Sequence, residues 1–215
     1  MTRHAAIPMI PLLETLSRGN LTATLQEKGA LLEVNEAPWS DRFPSVASCK
    51  AFLAASSKYL CIRFEAKEKG LRCVNCEDNL RQWEDSCCEF FVEDGYGRYF
   101  NFEVNPAGKV LSASGKSREG RQRLPEDRMK EIIRIPGDLP AVPPFCIEDG
   151  SYAWEMTILV PFSLLGMGSV PSSLKANLYK CGDLTAEPHF LSWNRVGTPS
   201  PDFHRPEFFG TIEII

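Results

Sequence analysis

Two aromatic residues stand in stretches with no apolar company. Trp83 lies in Arg81-Gln82-Trp83-Glu84-Asp85-Ser86, and Phe203 in Ser200-Pro201-Asp202-Phe203-His204-Arg205-Pro206. A flat ring in a polar loop can stack on the C–H face of a pyranose while nearby polar groups bind the hydroxyls. A row of such groups lies between them in the chain. Asn101, Glu103 and Asn105 alternate with Phe100, Phe102 and Val104. They therefore share one face of a strand, about 7 Å apart. Amides and carboxylates offer donors and acceptors in fixed planes, which suits sugar hydroxyls. Without a ligand, the same row reads as a solvated strand face. His204 either lines the mouth of such a site or caps its Pro-bounded loop.

Other chemistries leave weaker marks. The chain has no G-x-S-x-G elbow, no H-E-x-x-H and no P-loop. Carboxylates are numerous, but a glycosidase pair is defined by a separation that sequence does not display. Cys73-x-x-Cys76 has no second close ligand pair to complete a structural zinc site, since Cys87-Cys88 is too tight. His4, His189 and His204 are scattered. The eight cysteines do not resemble a disulfide framework, and several sit in strand-like runs, where a free thiol packs as a small hydrophobe. A cytoplasmic location fits them and the absence of a clear signal peptide; a periplasmic or extracellular one would follow from a start misplaced downstream of a signal. A haem ligand could be drawn from Met156, Met167, His189 or His204.

The elements that must position these residues are strands. Leu60, Ile62 and Phe64 share one face, and so do Tyr152, Trp154, Met156, Ile158 and Val160. Leu174–Cys181 and Gly210–Ile215 also read as strands. Asn105-Pro106-Ala107-Gly108, Pro136-Gly137-Asp138 and Glu148-Asp149-Gly150 read as turns between them. Brief helices are expected near Arg128–Ile132 and Phe162–Leu165. The fold class is all-β, an antiparallel β-sandwich with few short helices. Residues 1–28 form an N-terminal arm or extra strand, and 29–215 the sandwich domain. Trp39, Trp154 and Trp193 are assigned to the core. The basic-rich segment Gly115–Arg128 reads as a solvated loop. A length of 215 residues supports a real core, and a net charge of −4 argues against nucleic acid as a partner. No apolar run reaches membrane-spanning length, which argues against a membrane partner.

Three segments in order resemble the family 9 carbohydrate-binding modules: Trp83-Glu84-Asp85-Ser86-Cys87-Cys88-Glu89-Phe90-Phe91-Val92, then Phe102-Glu103-Val104-Asn105-Pro106-x-Gly108, then Ala176-Asn177-Leu178-Tyr179, Leu191-Ser192-Trp193 and Asp202-Phe203-His204-Arg205-Pro206-Glu207-Phe208-Phe209-Gly210. The resemblance implies a β-sandwich that binds mono- or oligosaccharides, without cleaving them, between two tryptophans. The first falls on Trp83; the second is Phe203 here. It places polar contacts at Glu89, Glu103, Asn105 and Tyr179, with Glu103 standing where the family carries Arg. It also implies structural calcium, with no ligands assignable in this chain. Two other functions stay open at this stage: a protein-interaction sandwich with a decayed sugar site, and an accessory domain of a glycoside hydrolase.

Overall fold

The computed structural model describes residues 2–215; Met1, the first residue of the expected arm, lies outside them. The strands are β1 (His4–Ile7), β2 (Ala30–Val34), β3 (Ser48–Ala55), β4 (Tyr59–Cys73), β5 (Cys87–Glu93), β6 (Tyr99–Val104), β7 (Val110–Gly115), β8 (Gln122–Arg123), β9 (Ile133–Pro136), β10 (Phe145–Pro161), β11 (Ser173–Cys181), β12 (Phe190–Ser192) and β13 (Gly210–Ile214). They form two sheets. The larger runs β1-β13-β11-β5-β6-β7-β8, with β12 also on β11; the smaller runs β2-β3-β4-β10-β9. All pairings are antiparallel except β1 with β13.

Alternation explains the layering. Leu60, Ile62 and Phe64 of β4 face Phe90 of β5 and Phe102 of β6 across the main core, and Met156, Ile158 and Val160 of β10 join them. Burying side chains of this size removes enough apolar surface, at about 25 cal/mol per Å², to drive the two sheets together. The opposite faces are not bare. On the larger sheet, Phe91, Tyr99 and Tyr179 are roofed by Trp39, Val196, Phe203 and Phe209 from loops. On the smaller sheet, Ala54, Cys61 and Leu159 are covered by Leu13, Leu21 and Leu25.

Leu21 and Leu25 belong to helix α1 (Arg18–Lys28), which the sequence reading did not anticipate. Its apolar signal is that single i, i+4 pair, set among Gly19, Thr22 and Thr24, which are weak helix formers. Ser17 caps it, accepting from the Asn20 N–H. Three other expectations need correction. A short helix, α2, covers Glu126–Met129 rather than Arg128–Ile132, and Phe162–Leu165 is a run of turns. Glu148–Gly150 is not a turn between strands but a bulge within β10, where the register against β4 shifts between Ile147 and Ser151.

Gly70 of β4 faces this bulge with φ +66°. An added Cβ would collide with the Ile147 carbonyl oxygen and lie 3.1 Å from that of Glu148. Gly70→Ala is therefore expected to lower unfolding free energy by at least about 2 kcal/mol, from left-handed strain plus the clash. Urea denaturation checks this; a midpoint unchanged from the parent would refute it.

The main core also holds a buried charge cluster. Lys180 and Glu68 are 0% and 1% exposed, and their Nζ and Oε1 are 2.9 Å apart. Trp154 Nε1 donates to Glu68 Oε1 at 2.7 Å, and the Ser86 hydroxyl donates to Oε2. Lys180 also donates to His189 Nε2 at 2.7 Å and to the Cys181 carbonyl. Burial opposes ionisation of Glu68, but Lys180 and the other donors hold its carboxyl below the usual range. Burial and the Lys180 charge push His189 down to about 4, so its ring is neutral at pH 7.

Candidate functional site

The roofed face of the larger sheet carries the site. Three adjacent strands, β11, β5 and β6, place Tyr179, Glu89 and Glu103 side by side in register. Above them lies a cavity of about 380 Å³ whose walls include Trp83, Glu89, Glu103, Phe203 and His204. Five of the seven sequence candidates thus meet in one place. No residue of 2–28 lines it.

Trp83 is half-buried in a 3-10 turn at Gln82–Glu84. Asp85 anchors the turn, accepting from the Val74 and Asn75 N–H groups at 3.0 and 2.9 Å. The far side is tied down too: the Asp183 N–H donates to the Trp83 carbonyl at 3.0 Å. Phe203 is buried. Its ring stacks on Tyr179 with centroids 4.1 Å apart and planes 13° apart, so one face is already taken. The Tyr179 hydroxyl donates to the Phe203 carbonyl, and Trp39 Nε1 holds the same loop through the Thr198 carbonyl.

Two candidates lie away from the cavity, and the reasons differ. Tyr179 is covered by Phe203 and spends its hydroxyl on that loop. Asn105 is at the end of its strand, where its side chain donates to the Asn75 carbonyl and to Asp85 and accepts from the Lys109 N–H. It fastens the Trp83 loop to the β6–β7 turn. The polar row is therefore split, with Asn101 and Glu103 bonded to each other at 3.0 Å.

Sequence reasoning missed Arg118, Arg121, Asp183, Asp202 and Cys181 on the walls. The segment read as a solvated loop folds back at β8 and sends Arg118 and Arg121 over the cavity. Arg121 donates to Asn101 Oδ1 at 2.6 Å, and Asn101 in turn to Glu103. A cation thus serves the site although the strand position itself carries Glu103. The run of basic residues was the available signal; its direction was not in the sequence.

The floor is electrostatically tense. Burial, partly countered by Arg121, pushes Glu103 up to about 7. Burial and the facing Glu103 raise Glu89 well above the carboxylate range. Burial and Glu84 push Asp183 up to about 6. His204 is driven down to about 2 by burial and by Arg121 and Arg118, so its ring is neutral; its Nδ1 is hydrogen-bonded to the Tyr99 hydroxyl at 3.1 Å. Buried carboxyls beside aromatic rings can exchange hydrogen bonds with hydroxyl groups in a small, half-apolar pocket.

A larger cavity, about 530 Å³, borders the smaller sheet. Of its charged side chains, Lys50 and Glu65 pair at 3.1 Å and Glu155 pairs with Arg63 outside the cavity, and its Trp154 is in the core. It offers no free aromatic face, so the smaller cavity is the better candidate.

Calcium needs six to eight oxygen ligands. Among the described residues, the one group of three or more metal-capable side chains within ligand reach is Cys87, Glu89 and Cys181. Two sulfurs and one carboxylate do not suit calcium, and the oxygens of Asp85 are occupied by N–H donors. Those three residues do not fit that ion.

The model of carbohydrate-binding family 9 matches residues 21–214. A protein from Bacteroides uniformis ATCC 8492, provisionally assigned to carbohydrate binding, is similar over the whole of both chains, with a TM-score of 0.90 and 29% identity. A family 9 module from Caldicellulosiruptor kristjanssonii, solved with cellotriose, aligns over 99% of this chain and 93% of its own at a TM-score of 0.61 and 10% identity. The structure of such a module from that organism with glucose aligns over 99% and 96%, also at 0.61, with 9% identity. At these identities the two Caldicellulosiruptor structures speak for the fold. No curated protein sequence matches the chain.

Proposed function

The chain belongs to carbohydrate-binding family 9, a family of non-catalytic binding modules, and from that membership we propose that its 380 Å³ cavity binds a single terminal sugar ring. The carrying observation is the convergence of Trp83 and Phe203 on a cavity floored by Glu89 and Glu103, directly opposite one another on neighbouring strands. The ring packs against Trp83, with Phe203 as the second aromatic surface and His204 at its edge. Phe203 is backed by Tyr179, so it presents one fixed face rather than a mobile blade. Glu89, Glu103 and Asp183 take the hydroxyls, and Arg121 adds a donor beside Glu103. Tyr179 and Asn105 act beneath this layer by holding the two aromatic loops.

Because the structural neighbours were solved with glucose and cellotriose, β-linked glucosides are the first ligands to test. Calorimetric titration with glucose, cellobiose and cellotriose at millimolar concentration is expected to give saturable one-site binding. Similar affinity for all three would support recognition of a chain end. Absence of heat across a broad panel of neutral, acidic and amino sugars, with tryptophan fluorescence unchanged, would overturn the proposal.

A further inference from the structure

Cys87 of β5 and Cys181 of β11 are direct partners in the antiparallel ladder beneath the cavity. Alternation puts Glu89, two residues beyond Cys87, on the same face. One ligand atom from each of the three lies within 4.8 Å of the others. They are 0%, 1% and 3% exposed for Cys87, Cys181 and Glu89, and Cys181 and Glu89 open onto the cavity, which supplies an entry path. A separate observation points to the same spot. Glu103, paired opposite Glu89, is 2% exposed, and its Oε2 has no hydrogen-bond partner. A buried polar atom left this way is costly, and a neighbouring cation relieves the cost.

We propose that Cys87, Cys181 and Glu89, with a water completing the set, form a binding site for one thiophilic divalent cation of the zinc type. Two sulfurs, one carboxylate oxygen and an exchangeable water are donors of the number and kind that a tetrahedral zinc site uses. The sulfurs select against calcium and magnesium, which take oxygen. With both thiols ionised the three protein donors carry three negative charges against two on the ion, and Glu103, paired opposite Glu89, adds to the excess. Arg121, joined to Glu103 through Asn101, offsets part of the excess. β5, β6 and β11 are interior strands of the sheet, so the donors are held by paired backbone on both sides. An ion here would engage Glu89, a carboxyl assigned above to the sugar, so ion and sugar compete for one floor. The ion site itself does not depend on the sugar reading.

The full chain, reduced and then handled without oxygen or reductant, is titrated with Co²⁺ as a coloured probe. One equivalent is expected to produce a sulfur-to-cobalt charge-transfer band in the near ultraviolet, which Zn²⁺ then abolishes by displacement. The band is expected to disappear in Cys87→Ser and Cys181→Ser and to persist in Cys76→Ser, which alters the half-buried thiol of the C-x-x-C pair. Glu103→Gln is expected to keep the band but weaken cobalt binding about tenfold or more. No band, or a band that survives both serine substitutions, overturns the proposal. A measurement on the unmodified chain guards against misfolded variants: Zn²⁺ is expected to slow alkylation of Cys181 by iodoacetamide. Equal alkylation with and without Zn²⁺ also overturns it.

Discussion

Replacing Lys180 with Met is expected to destabilise the protein by about 3–5 kcal/mol, the usual range when one member of a buried ion pair is removed. The substitution keeps the apolar stem and deletes the ammonium. Glu68 is then left 1% exposed with only the Trp154 indole and the Ser86 hydroxyl as donors. His189 loses the donor to its Nε2 and has no other within the cluster. The double variant Lys180→Met, Glu68→Gln removes both charges and is expected to recover much of the loss, because a buried pair is often worth little net against neutral groups of the same shape. Denaturant unfolding of the parent, both single variants and the double variant gives the coupling energy. A single-variant cost below about 1 kcal/mol would mean that the pair does not carry the full desolvation penalty of a buried charge.

Trp83→Ala is expected to reduce sugar affinity about 30-fold or more, the effect of losing a binding hot spot of about 2 kcal/mol. The indole is the large aromatic surface on the cavity wall that is not already covered by another ring: Phe203 lies on Tyr179, and Trp83 stacks on no aromatic neighbour. Its backbone carbonyl, rather than its ring, joins the turn to Asp183, so the loop should survive truncation. Phe203→Ala is a less specific probe. It would empty a buried position among Tyr179, Trp39 and Phe190, and a stability loss of about 3–5 kcal/mol would accompany any loss of binding. Calorimetry on Trp83→Ala, with its melting temperature as a folding control, decides the point. Parent-like affinity in a folded Trp83→Ala protein would place the sugar elsewhere.

Much of the fold was legible because the sandwich has one dry interior. Leu60, Ile62 and Phe64, or Phe100, Phe102 and Val104, face it at every second position, and period-two alternation reports that directly. Helix α1 left only Leu21 and Leu25 as a signal, too little to separate it from a polar arm. Glu148–Gly150 carried turn residues, yet the long pairing of β4 with β10 absorbs them as a bulge.

By itself, the amino-acid sequence determined the two-sheet architecture, the inward faces of its strands, and the family whose motifs point to Trp83, Phe203, Glu89, Glu103, Asn105 and Tyr179 as site residues. Tertiary structure alone decided what covers the opposite face of the larger sheet. Alternation states that Asn101, Glu103 and Tyr179 turn away from the core; it does not state that Trp39 and Phe203 return from distant loops to roof Tyr179, or that Arg121 reaches back to Asn101. That roof makes Tyr179 a support, leaves Asn105 fastening a loop, and turns Arg121 into the cation beside Glu103. Strand pairing brings Cys87 against Cys181, and the packing of the two sheets brings Lys180 against Glu68. Pattern along a strand is a local property, set by which side meets water, whereas the partners of a buried polar group are chosen by chain segments far apart in sequence that only the folded state brings within hydrogen-bond distance.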